Sequence, residues 1–132
     1  MGDYISRLFW VGAGGFVGAN ARYWLAEWIQ ARTGAAFPWA TFAINISGSF
    51  ILGLFMAAAT RNFTTTAPLE LRLAFAVGFL GAYTTFSTFT FETLALYNTG
   101  HFARAAGNVI LSLLVGLAAA AIGLWLGRLL VR

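Results

Sequence analysis

The chain has no cysteine and no lysine, one histidine and two prolines, and only 9% of its 132 residues are charged. Without cysteine there are no disulfides, thiolate nucleophiles or thiolate metal sites. The single histidine, His101, excludes a histidine-rich metal centre as well. The net charge of +4 comes from eight arginines spread along the chain, so the basic stripe that nucleic-acid binding needs is missing. Soluble domains carry about a quarter charged residues. With 60% hydrophobic residues, a water-soluble fold here would lack the polar groups to cover its surface.

What the sequence has in abundance is apolar length. A helix needs about 20 apolar residues to cross roughly 30 Å of hydrocarbon. Four segments satisfy that requirement, 5–29, 39–60, 73–97 and 105–126. The expectation is a single all-α transmembrane domain, 1–132, since no Pro-, Ser- or charge-rich stretch divides the chain. The connections 30–38, 61–72 and 98–104 contain the breakers Gly34, Pro38, Pro68 and Gly100. Trp24, Trp28 and Trp39 flank the first connection and Trp10 and Trp125 fall near the opposite face, as in an aromatic belt at each interface. Arg7, Arg61, Arg72, Arg128 and Arg132 lie on one side and Arg32 and Arg104 on the other, which favours cytoplasmic termini. Residues 1–6 lack a basic n-region, and the long apolar segment after them shows no cleavage site, so a cleavable signal peptide is not expected.

Lipid is as apolar as leucine, so membrane helices associate through small residues, often four apart. Gly14 with Gly18, Gly15 with Ala19, Ser49 with Gly53, Ser112 with Gly116 and Gly123 with Gly127 have that spacing. They serve either packing within one bundle or oligomerisation. Four short helices alone enclose little room for a polar pathway. The glycine run 12–18 is not a dinucleotide-binding loop, because it lacks the required pattern and sits within a spanning segment.

Polar groups inside a membrane are costly unless partnered, so each needs an explanation. Arg22 either snorkels to the interface or attracts anions to a vestibule. Asn45 either hydrogen-bonds a neighbouring helix or offers its amide N–H groups to an anion. The run 78–92 alternates Thr or Ser with Phe, like a strand. An isolated strand cannot cross lipid, so a helix broken near 81–85 is expected instead, with freed carbonyls suited to a small cation. Phe86 and Phe89, three apart, share nearly one helix face. They are either ordinary apolar rings or rings that turn their positive edges toward an anion. Glu92 could pair with an arginine, cap the break or carry protons.

These motifs together resemble the Fluc fluoride channel family, also called CrcB, along essentially the whole chain. The resemblance is carried by 18–22 (Gly-Ala-Asn-Ala-Arg), by 41–45 followed by Gly48, and above all by 78–81 with 84–89. It implies two identical subunits inserted in opposite orientations in the inner membrane, an antiparallel homodimer with two pores. It also implies a structural sodium ion on the two-fold axis, held by backbone carbonyls of Gly81 and Thr84. Asn45 would line the pore, Phe86 and Phe89 would present ring edges to fluoride, and Arg22 would stand at the entrance. Thr85, Thr88 and Ser112 would form a hydroxyl track. The implied role is passive export of cytoplasmic fluoride, which gives fluoride resistance, with no enzymatic activity. The chain departs from the family's usual string at Ala82, where Gly is common, and carries Tyr83 beside it.

Two rival functions follow from the residues. A small dimeric multidrug or cation exporter needs a membrane carboxylate, for which only Glu27 and Glu92 are available. A non-transporting scaffold would leave Asn45, Arg22 and the hydroxyls without a purpose.

Overall fold

The computed structural model describes residues 2–61, 64–65 and 67–130. Arg132, used above to place the termini, and Met1, in the segment read for a signal peptide, lie outside them. The described chain is helical apart from a two-residue antiparallel pairing of β1 (Thr60–Arg61) with β2 (Thr64–Thr65). The helices are α1 (Gly2–Thr33), α2 (Trp39–Ala59), α3 (69–83), α4 (Phe86–Asn98) and α5 (Phe102–Leu130). Three stretches, Trp39–Ala59, Leu69–Asn98 and Phe102–Leu130, are long and apolar enough to cross a membrane. At 32 residues α1 is long enough too, but Asp3, Arg7, Arg22, Glu27 and Arg32 make it less apolar than the others.

Helices α1 and α5 and the α3–α4 stretch overrun the expected segments 5–29, 105–126 and 73–97 because backbone hydrogen bonding continues after the hydrophobic stretch ends, whereas α2 stops at Ala59, one residue inside the expected 39–60. Glycine with positive φ sets two of the stops. Gly34 (φ 69°) follows α1 and Gly100 (φ 80°) follows α4, a backbone region that glycine enters without a Cβ penalty.

The expected interruption of the third span falls at Thr84 and Thr85, both in extended conformation. Before it, α3 widens into π-helical turns over Arg72–Leu80. Such turns commonly mark functional sites within helices.

Two helix pairs carry most of the packing, α2 with α5 and α1 with α3. Glycines bring each pair to backbone contact. A Cβ on Gly14 or Gly18 would collide with the backbone of Ala74 or Phe79, and one on Gly53 or Gly123 with that of Ala120 or Phe50. The pairs Gly14 with Gly18 and Gly123 with Gly127 are thus used inside the subunit. Between the two pairs lies a small core of Ile44, Leu80 and Tyr83, flanked by Phe75 and Phe79.

Outside this core the chain is covered in exposed apolar side chains, including Leu113, Leu114 and Leu117 on α5 and all five tryptophans. Such a surface is ordinary in lipid and untenable in water. Helix α4 contains no buried residue at all.

Candidate functional site

The break is held open by side chains that take amides away from the helix. In an uninterrupted helix the N–H of Thr85 would reach the carbonyl of Gly81, and that of Thr88 the carbonyl of Thr84. Here Thr85 N–H donates to Asn45 Oδ1 at 2.8 Å. Thr88 N–H donates to Thr85 Oγ1 at 3.2 Å, so Thr85 is the N-cap of α4. Asn45 Nδ2 donates in turn to the Thr85 carbonyl at 3.0 Å. One amide side chain on α2 therefore satisfies both backbone groups of the residue at the break, and the Gly81 and Thr84 carbonyls give up their helical donors.

Neighbouring residues of α2 complete the grip. Gly48 is buried against the break, and a Cβ there would strike the methyl group of Thr84. Ser47 Oγ lies 2.8 Å from Tyr83 OH. Ser49 Oγ donates to the Asn45 carbonyl at 2.7 Å.

Beside the break lies a groove of about 490 Å³, lined by Asn45, Ser49, Gly81, Thr84, Thr85, Phe86, Phe89 and Ser112 among others. No charged residue is among the described residues that line it. The rings of Phe86 and Phe89 are 5.8 Å apart and tilted by 40°. An asparagine amide has two N–H groups and Asn45 uses one of them on Thr85, which leaves one for the groove. Moderate donors and ring edges can replace the water around a small anion without holding it as a fixed cation would.

Of the residues singled out in the sequence, Asn45, Gly81, Thr84, Thr85, Phe86, Phe89 and Ser112 come together in this groove. Arg22 and Thr88 do not line it. Arg22 is half-buried on α1, and Thr88 Oγ1 accepts from Thr85 Oγ1 at 3.0 Å on the exposed side of the break.

Sequence reading missed Asn108, which is 1% exposed. Its Nδ2 donates to Thr93 Oγ1 at 2.8 Å, and Ser112 Oγ makes a longer contact of 3.4 Å with its Oδ1. Thr93 Oγ1 donates to the Phe89 carbonyl at 2.7 Å. These groups extend the polar line from the groove along the α4–α5 contact. The signal that could have found Asn108 is its spacing, since it lies four residues before Ser112 and so on the same face.

One residue before Thr93, Glu92 has a carboxylate oxygen, Oε2, that is buried without a partner among the described residues. Among the described residues it neither pairs with an arginine nor caps the break. Instead it lines a second cavity of about 360 Å³, together with Gln30, Thr99, His101 and Arg104. Arg104 holds the α1–α2 connection to the start of α5 by donating to the Ala36 carbonyl at 3.2 Å.

Residues 9–124 match the family described as CrcB-like protein, Camphor Resistance (CrcB). Among curated relatives, a fluoride-specific ion channel FluC of Geobacter sulfurreducens is 47% identical over 118 residues, 89% of this chain and 90% of that protein. A FluC of Magnetococcus marinus is 44% identical over 124 residues, 94% of this chain and 99% of that protein. A FluC of Methylococcus capsulatus is 46% identical over 125 residues, 95% of this chain, and the match spans only 52% of that longer protein. A family match over most of the chain, with relatives this similar across nearly its whole length, shows that the chain belongs to the CrcB-like family.

Proposed function

We propose that the protein is a fluoride-selective passive channel of the inner membrane that exports cytoplasmic fluoride and so confers fluoride resistance. One observation carries the reading. An uncharged groove gathers an amide N–H, two phenylalanine rings and hydroxyls at a helix break, and this donor set suits a small, strongly hydrated anion. The names of the relatives, fluoride-specific ion channels, point the same way.

The groove is open along one side, and Phe86 is 76% exposed at its rim. A second copy closing over α4 would convert the open groove into a walled pathway, which supports a homodimer. The resemblance adds that the two copies run antiparallel. Arg22 then stands at the approach, where a guanidinium raises the local anion concentration, and Thr88 extends the hydroxyl track.

The residues also fit a sodium ion. A hard cation takes oxygen ligands, and the Gly81 and Thr84 carbonyls are the two whose helical N–H partners are diverted to Asn45 and Thr85. In the dimer both copies would supply this pair to one ion, whose chemistry is structural.

The exporter reading rests on Glu92, the one buried carboxylate oxygen without a partner among the described residues. Cells that lack their own fluoride exporter separate the two readings. Grown with fluoride in acidic medium, they should be rescued by this chain and not by its Phe86→Ile variant. Normal membrane expression without rescue, or resistance to cationic dyes instead, contradicts the channel reading.

A further inference from the structure

Tyr83 has no part in the groove, although it occupies the last turn before the break and is only 7% exposed. Its ring stacks on Phe79 (5.7 Å, 7° between planes), and Phe79 stacks on Phe75 (5.4 Å, 12°). Three rings at four-residue spacing thus form a column along α3. At its end the Tyr83 hydroxyl lies 2.8 Å from Ser47 Oγ, and Ser47 Oγ lies 3.1 Å from the Ile44 carbonyl. A serine has a single hydroxyl hydrogen. With that hydrogen on the Ile44 carbonyl, Tyr83 is the donor to Ser47, and the line ends on the backbone of α2.

One turn of α2 therefore holds three consecutive residues by three different contacts. Ser47 binds Tyr83, Gly48 provides the notch for Thr84, and Asn45 binds both backbone groups of Thr85. Asn45 alone fixes a point on the chain. A second fixed point two residues earlier also fixes the direction in which the chain passes between them.

We propose that Tyr83, acting through Ser47, is a positioning residue that sets the backbone path of the break and thereby aims the Gly81 and Thr84 carbonyls and the Phe86 ring. The proposal rests on the channel reading for its functional consequence. It explains how a chain with Ala82-Tyr83 at this point keeps a defined break, since the tyrosine supplies its own anchor.

The test compares Tyr83→Phe, Ser47→Ala, the double variant and Ser47→Thr, each purified whole and reconstituted in liposomes. Tyr83→Phe keeps the stacked column and removes only the hydroxyl. One lost hydrogen bond of ordinary strength corresponds to about tenfold, so each single variant should lower the fluoride-to-chloride flux ratio by about tenfold. The double variant should go no further than either single one, and Ser47→Thr should keep the ratio. A merely structural tyrosine would lower stability and leave the ratio alone.

Amide hydrogen exchange at Thr84 and Thr85 provides a readout independent of transport. It should quicken about tenfold in Tyr83→Phe and in Ser47→Ala, while α2 and α5 stay protected. Unchanged exchange at these two amides, or losses that multiply in the double variant, overturns the proposal. Absent fluoride flux in the unmodified chain, with exchange still responding to Tyr83→Phe, overturns the channel reading and leaves the positioning role standing.

Discussion

At the scale of single residues, the site depends on where amide hydrogens go. Asn45 is the clearest case, because it feeds both backbone groups of Thr85 and still has one N–H to offer. Asn45→Asp replaces that donor with a like charge, so fluoride efflux from liposomes should fall at least about 100-fold, given that one unpaired charge in a low-dielectric site costs several kcal/mol. Efflux within threefold of the unmodified chain would remove Asn45 from the pathway. Asn108 is the second case. Asn108→Ala strips a buried partner from Thr93 and should cost about 1–3 kcal/mol, read as a lower unfolding temperature in detergent. An unchanged midpoint would mean that the α4–α5 contact does not rely on this bond. Asn45 was legible in the sequence because it interrupts an apolar segment near a second polar run. The choice between helix glue and anion donor was not legible, because the partner, Thr85, is 40 residues away in the chain and bonding it still leaves the amide one N–H. Asn108 went unread because it stands near the helix start, where a polar residue passes as interfacial.

At the scale of elements, the fold was readable wherever apolar length or small-residue spacing decided it. The second and fifth helices followed from uninterrupted hydrophobic runs, and the break in the third from a Thr/Ser/Phe alternation that lipid does not permit as a strand. The broad π-helical stretch over Arg72–Leu80 was not readable. It coincides with the close approach of α3 to α1 at Gly14, Gly18 and Gly78, a tertiary contact between elements far apart in the chain. The same glycines give a prediction with an internal control. Gly18→Ala places a methyl group against the Phe79 backbone and should destabilise the protein by about 1–3 kcal/mol. Gly12→Ala, on the same helix with nothing within 4 Å of the added carbon, should be neutral or slightly stabilising, because alanine is the better helix former. Equal unfolding temperatures for the two variants would contradict the packing described here.

At the scale of the whole molecule, the proposed channel needs a second copy to close its pathway. Helix α4 has no buried residue, and the groove beside it lacks a wall. Light scattering with detergent correction should therefore find two chains per particle, and cross-linking from introduced cysteines on α4 should join copies at the Phe86 face. A strictly monomeric particle that still carried fluoride would refute the dimer. Small-residue spacing in the sequence leaves packing within one bundle and oligomerisation both open, and does not by itself give this assembly. The assembly enters through the family resemblance, and the exposed groove then gives it a physical reason. The most direct test of the central claim is a fluoride-electrode recording of efflux from liposomes containing the purified chain, with chloride efflux measured in parallel and Phe86→Ile as the comparison. The account predicts rapid fluoride release, little chloride release, and loss of the fluoride signal in a Phe86→Ile variant that remains a folded dimer. Fluoride release equal in the two proteins, or none from a folded dimer of the unmodified chain, would contradict it.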